Sequence, residues 1–339
     1  MDEIKKHLKK IGYIVSIIFL YFTFKDTDFS LILKHLKYVS PYCLIGALIF
    51  NCCFFVIRGL YQTNNLYYIK PNIPGSTSIT AIGVAQFYNV IFPARFGEVF
   101  RAFFLSKREG VQKASILSYI FIEKVLDFLV ILLLLLIISV FGVRNAEVRK
   151  VLICSFLIIV SIISSLFIYI RYNEKMLFVL ERVTPKSIHG LLHRISSEVL
   201  QGLSFFKSIK QIVTGIILLL TSWMMITGVF WCVSYPYVKL LELPFYSCLF
   251  FMVFSALSLS VPSAPAGIGV MHYGLFLAVK LLSKDFIETE VNLIAAFVIS
   301  MHFFVMLFDV LVGGGIIVFH KIYFKDILVP GHNVLEGEL

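Results

Sequence analysis

Charge is what this chain has least of. Of its 339 residues, 15% are Asp, Glu, Lys or Arg, while 59% are hydrophobic and the mean hydropathy is +0.91. So little polar surface excludes a soluble globule of this length and indicates an integral membrane protein. Recognisable nucleotide and hydrolase signatures are also missing. There is no P-loop and no GxSxG, and His189 and His193, spaced i, i+4, have no HExxH around them. An ATP-driven pump would therefore need its motor from a partner, and no metal or other cofactor is called for. The six cysteines form no CxxC pair and lie in apolar runs, which reads as small buried hydrophobes. No small-residue cleavage site follows the apolar run from Ile11 to Phe24, so the basic start (Lys5, Lys6, Lys9, Lys10) introduces a retained first span.

What is present is greasy and periodic in length. Val151 to Ile170 is a charge-free run of 20 residues and Ile212 to Val238 one of 27, against about 20 needed to cross the hydrocarbon core as a helix. Helices are required because lipid offers no partner to an unpaired backbone. Apolar runs fall near 11–24, 40–60, 77–92, 117–142, 151–170, 212–236, 244–261, 266–282 and 291–319. The basic residues gather in two loops, 95–113 and 171–210, the second holding seven Lys or Arg against Glu174, Glu181 and Glu198. Both loops fall on the cytoplasmic side if 77–92 enters and returns, and the net charge of +10 then reads as positive-inside topology and affinity for anionic headgroups, without nucleic acid. The expectation is an all-α integral membrane protein of about eight transmembrane helices plus re-entrant or broken helices. A basic cytoplasmic N-terminus (1–10), one polytopic membrane domain (11–320) and a short cytoplasmic tail (321–339) make up the chain. Phe29–Tyr38 and the segment around Leu191 to Leu200 suit helices lying in the interface. The acidic stretch Asp285, Glu288, Glu290 lies outside.

Two interruptions change the interpretation. NVIFPARFGEVFRAFFL, from Asn89, packs Pro93, Arg95, Gly97, Glu98 and Arg101 into nine residues. The 37-residue charge-free stretch Leu243 to Val279 is broken at its centre by Pro262, Pro265, Gly267 and Gly269. Pro-Ala-x-x-Gly occurs in both, which is either a two-fold pseudo-repeat or a chance similarity of two breaks. Interrupted segments in corresponding positions of two halves point to a transporter's midplane site. Proline removes a donor and glycine accepts left-handed geometry, so the backbone can break here. A helix restarting after Gly97 would aim its first amides, with Arg95 and Arg101, at an anion such as phosphate. The alternative is an interfacial salt-bridge cluster holding a loop.

Further along, Glu123 and Asp127 share one helical face at i, i+4, where pairing with Arg95 or Arg101 would satisfy both signs. Lys124 points elsewhere and snorkels to the surface. Asp309, the deepest acid, either joins a polar cavity with His302 or is an end-of-helix charge.

These ordered residues resemble the lysylphosphatidylglycerol synthase transmembrane-region, or flippase-like, family of bacterial and archaeal membrane proteins. The resemblance rests on Asn89, Pro93, Arg95, Gly97, Glu98 and Arg101, on Glu123 and Asp127, and on Pro262, Pro265, Gly267 and Gly269. In the best-known relatives this region is fused to a soluble domain that aminoacylates phosphatidylglycerol, and it moves the product between leaflets. Here the chain ends at Leu339, so the synthase domain is expected to be missing. The family usually has Arg where this chain has Lys124, Gly where it has Ala266 and Glu where it has His272. Losing that acid weakens a cavity built for a lysyl headgroup, while His272 permits a proton-coupled step.

The resemblance implies binding and translocation of a polar-headgroup lipid, a phospholipid, aminoacylated lipid or lipid-linked sugar, in the cytoplasmic membrane, with no enzyme activity of the chain's own. Arg95 and Arg101 would contact phosphate, and Glu98, Glu123, Asp127, His272 and Asp309 would complete the substrate site. Two rivals remain. One is a membrane-embedded transferase with Glu98 or Asp127 as general base; the other is an accessory to a separately encoded synthase or glycosyltransferase.

Overall fold

The computed structural model describes residues 2–141, 146–261, 263–282 and 290–322. Pro262, Asp285, Glu288 and the tail beyond Ile322 lie outside the described residues. Within them the protein is all-helical and no strand occurs: α1 (Asp2–Phe24), α2 (Phe29–His35), α3 (Pro41–Leu66), α4 (Gly75–Ile91), α5 (Gly97–Glu109), α6 (Lys113–Phe141), α7 (Ala146–Val183), α8 (His189–Gly202), α9 (Ile209–Leu240), α10 (Ser247–Ser258), α11 (Val270–Leu282) and α12 (Val291–Phe319). By length and hydropathy, Pro41–Leu66, Phe156–Val183, Ile209–Leu240, Pro265–Leu282 and Val291–Phe319 are each sufficient to span a bilayer. The last-but-one begins in a break, so its regular helix is only the 13 residues of α11.

The first break follows from its residues. Phe92, preceding Pro93, is pushed to extended geometry (φ −102°, ψ 144°), which stops α4. Pro93–Arg95 makes one 3-10 turn, Arg95 takes a left-handed φ of 56°, and α5 starts at Gly97. A Cβ on Gly97 would overlap the Ala85 carbonyl oxygen and lie 2.7 Å from the Asn89 nitrogen, so glycine is what lets α5 fold back onto α4. Lys70 Nζ, just before α4, donates to the Glu109 carboxylate at 2.8 Å, at the end of α5. Both ends of the pair therefore sit at one level, and 75–109 is a hairpin that enters and returns, as the charge distribution requires.

The second break, which the sequence leaves open between crossing and returning, folds in the same manner. Pro265–Gly267 makes a 3-10 turn, Ala266, Gly267 and Gly269 all have positive φ, and α11 packs back along α10, with Gly274 against Ser258 and Phe254. At 12 residues α10 is about 18 Å long, too short to cross a core of about 30 Å. The two break turns pack against each other.

This makes the pseudo-repeat explicit. Each half runs long helix, short helix, Pro-Ala break, 13-residue helix, 29-residue helix: α3 to α6, then α9 to α12. The halves are inverted. The α3–α9 interface is the most extensive in the protein and antiparallel, with Gly46 beside Cys232, Phe50 beside Gly228, and Asn64 donating to the Gln211 carbonyl at 2.9 Å. Each half's first short helix packs on the other half's last helix, α4 on α12 and α10 on α6. The α4–α12 seam is made of small residues, with Gly83 on Ile316 and Gly313 on the Gly83 carbonyl. Outside the repeat, α1 seals the second break: the Ser16 hydroxyl accepts from Ala264 N at 3.0 Å, and a Cβ on Gly269 would overlap the Ser16 carbonyl oxygen.

Helices form at both segments expected to lie in the interface, α2 over Phe29–His35 and α8 over His189–Gly202. Asp28 caps α2 by accepting from Ser30 N at 2.8 Å, and the Ser30 hydrogen bonds hold its carboxyl below the usual carboxylate range. The cysteines differ from expectation in placement: Cys232 and Cys248 are buried, while Cys52, Cys53 and Cys154 are exposed on helix surfaces that suit lipid.

Candidate functional site

Between the two broken hairpins lies a cavity of about 430 Å³, lined by α3, α4, α5, α6, α9, α10, α11, α12 and the two breaks. It contains four cationic side chains, Arg58, Arg95, Arg101 and Lys124, and four acidic ones, Glu98, Glu123, Asp127 and Asp309. The rest of the wall is mostly apolar, including Phe54, Ile131, Ile226, Phe230, Met252 and Leu259. Depth follows from the helix bounds: Asp127 is the central residue of α6, about 21 Å from either end at 1.5 Å per residue.

Glu123 is the hub. Arg101 meets it with two parallel hydrogen bonds, Nη1 to Oε1 at 2.9 Å and Nη2 to Oε2 at 2.7 Å, and the Tyr119 hydroxyl donates to Oε2 at 2.5 Å. Arg58 reaches the same carboxylate at 3.1 Å and also pairs with Asp127. Arg101 is closed off by Gln62 Oε1 at 2.6 Å and Glu98 at 3.1 Å. The second Asp127 oxygen accepts from Trp223 Nε1 at 3.2 Å. Both Arg101 and Glu123 are 1% exposed. Buried charge is tolerated only when paired and hydrogen-bonded, and this network meets that condition from four helices, α3, α5, α6 and α9.

Two expectations need correction. Arg101 is 1% exposed and four of its five N–H donors are taken by Gln62, Glu98 and Glu123, so it is not an open phosphate contact. Lys124 does not point elsewhere: its ammonium lies 2.8 Å from Glu98 and 3.7 Å from Asp127, half-buried against the cavity. Of the two arginines offered as partners for Glu123 and Asp127, Arg101 pairs with Glu123, while Arg95 is exposed and lines the cavity from the first break. The spacing of Glu123 and Asp127 does put both on the cavity face, and Glu98 pairs with Arg101 at i, i+3 as anticipated.

Asp309, from α12, also lines the cavity and accepts from Asn51 Nδ2 at 3.3 Å. His272 and His302 form a separate pair, ring centroids 4.4 Å apart, behind the second break. His302 Nε2 bonds the Ala266 carbonyl at 2.9 Å and His272 Nδ1 accepts from Gly269 N at 3.3 Å, so both hold the break turn and neither is in the cavity wall. Asn89 packs on Gly97, and Pro93, Gly97, Pro265, Gly267 and Gly269 shape the two turns as described.

Sequence reasoning missed Arg58, the cation that bridges Glu123 and Asp127. The signal was there: it is the sole charged residue between Lys37 and Lys70, inside an apolar run. Gln62 and Trp223 carry no comparable mark.

Five described non-glycine residues have a positive φ, Asn72, Arg95, Glu242, Ala266 and Lys321, and of these Arg95 lines the cavity. At the third residue of the Pro-Ala turn the second break has Gly267 (φ 72°), where the first has Arg95 (φ 56°). A left-handed conformation costs a side-chain-bearing residue about 1–2 kcal/mol, so the arginine is kept against its backbone preference.

Comparison with known proteins agrees with this architecture. The family described as "Lysylphosphatidylglycerol synthase TM region" matches residues 10–314. The chain is similar to a UPF0104 membrane protein of Methanocaldococcus jannaschii, 28% identical over 231 residues, which cover 66% of this chain and 91% of that one. No solved structure matches.

Proposed function

The chain belongs to the lysylphosphatidylglycerol synthase TM region family, and from that membership and the charged cavity we propose that it binds a membrane lipid by its polar headgroup and moves it between leaflets. The observation that carries the reading is a cavity between two inverted half-hairpins, lined by eight charged side chains from α3, the first break, α5, α6 and α12 and otherwise mostly by apolar ones. Charge inside a bilayer is expensive and is retained where it meets a substrate or its own partners. Broken helices at a repeat interface are where transporters bind.

In this reading Arg95 takes the phosphate, while Lys124 stays paired with Glu98 in the cavity wall. The Arg58–Glu123–Arg101 network positions Lys124 and Glu98 and does not itself touch lipid. Glu98, Asp127 and Asp309 balance the charge. His272 contributes by fixing the second break. The positive-inside bias of Lys107, Arg108, Lys113 and the 171–210 segment supports a cytoplasmic-membrane location with both termini cytoplasmic, in one polytopic unit over 11–320.

The test is native mass spectrometry of gently solubilised protein beside Arg95→Gln. The expected result is phospholipid retained by the wild type and about tenfold less by the variant, the loss of one charge-assisted contact. Equal retention by both, with the same lipids, would contradict the reading and turn attention to an accessory role.

A further inference from the structure

Resting on the lipid reading above, we propose that the headgroup this cavity accepts is zwitterionic, one phosphate and one primary ammonium, with the phosphate at Arg95 and the ammonium at Asp309. The argument is one of charge balance and of free valences. Arg58, Arg101 and Lys124 are matched by Glu98, Glu123 and Asp127 in one connected network. That leaves one cation and one anion in the wall, and among the described residues neither Arg95 nor Asp309 has an ion-pair partner within 4.0 Å. They are opposite in sign and share the cavity, near enough to attract through space yet farther apart than an ion pair. In a low-dielectric space an inserted net charge is costly, so a ligand carrying one charge of each sign, separated by a short linker, fits where a purely anionic headgroup would leave Asp309 opposed and unpaired.

At the acid end, Asn51 donates its amide hydrogen to Asp309 from outside the cavity wall. The Asp309 carboxylate that lines the cavity accepts hydrogen bonds, which a primary ammonium donates and a trimethylated one does not. The arginine end has its own mark in the left-handed backbone that Arg95 maintains where the other half uses glycine. The class implied is an ethanolamine-type phospholipid, in preference to a glycerol or choline one.

The experiment offers purified protein an equimolar mixture of phosphatidylethanolamine, phosphatidylglycerol and phosphatidylcholine of identical acyl chains, and reads retained lipid by native mass spectrometry. Wild type should retain phosphatidylethanolamine over each of the others by about tenfold. Asp309→Asn, confirmed folded by thermal unfolding, should reverse the order toward phosphatidylglycerol, because its cavity is left with one excess cation; Asp309→Glu should restore it. A reversal of preference is something general damage does not produce. The proposal is overturned if wild type retains phosphatidylglycerol or phosphatidylcholine as well as phosphatidylethanolamine, or if Asp309→Asn lowers all three alike. Retention of all classes with loss in Arg95→Gln would sink the zwitterion claim and leave the lipid reading standing. Retention of none would sink both.

Discussion

Glu123 and Arg95 illustrate two uses of charge in one cavity. Glu123 is enclosed by two arginines and a tyrosine, and removing it leaves Arg58 with Asp127 and Arg101 with Glu98 as their remaining buried counter-charges. Glu123→Gln is therefore expected to cost about 3–5 kcal/mol of stability, read as a lower unfolding temperature in detergent. Arg95 is the reverse case. Among the described residues it has no ion-pair partner within 4.0 Å, and its φ is unfavourable, so Arg95→Gly should leave stability unchanged or raise it by about 1 kcal/mol, while lipid retention falls. A stability loss in Arg95→Gly like that of Glu123→Gln would remove the distinction. Such roles were only half legible in the sequence. Glu98, Glu123 and Asp127 announced themselves because acids are rare in apolar runs and their spacings fix shared faces. Which cation each acid takes depends on α3 lying beside α6, a contact between residues 65 positions apart for Arg58 and Glu123, and local spacing carries no information on it.

Among the helices, the hairpins depend on a few glycines whose tasks differ. Gly97 and Gly269 sit where a Cβ would overlap a backbone carbonyl, of Ala85 and Ser16 respectively, and Gly269 also has φ 87°. Alanine at either should cost about 1–3 kcal/mol or more, since backbone cannot yield as a side-chain tip can. Gly315 has nothing within 4 Å, so Gly315→Ala should stay within about 0.5 kcal/mol. Thermal unfolding of the three variants separates them, and equal effects would show that the hairpin packing is not what these residues maintain. The existence of both breaks could be read from Pro-Ala-x-x-Gly, because proline and glycine act locally. That α10 and α11 return instead of crossing could not, since hydropathy is blind to the direction of a chain after a turn.

At the scale of the whole molecule, the inverted halves tie topology to function. The antiparallel α3–α9 pairing places Lys70 and Lys107 on one face and Lys25 and Asp28 on the other, and the positive-inside bias assigns the basic 171–210 segment, with Lys186, to the first. In a background without exposed native cysteines, Lys186→Cys in cells should resist an impermeant maleimide and Lys25→Cys should react. The opposite pattern would reverse the proposed orientation. The central claim is tested most directly in proteoliposomes, by following movement of acyl-labelled phosphatidylethanolamine between leaflets through quenching of the outer label. Wild type should move it many-fold faster than protein-free vesicles, and Arg95→Gln, folded to the same degree, should fall to near the protein-free rate. Movement at the protein-free rate in wild type, or at the wild-type rate in the variant, would contradict the account.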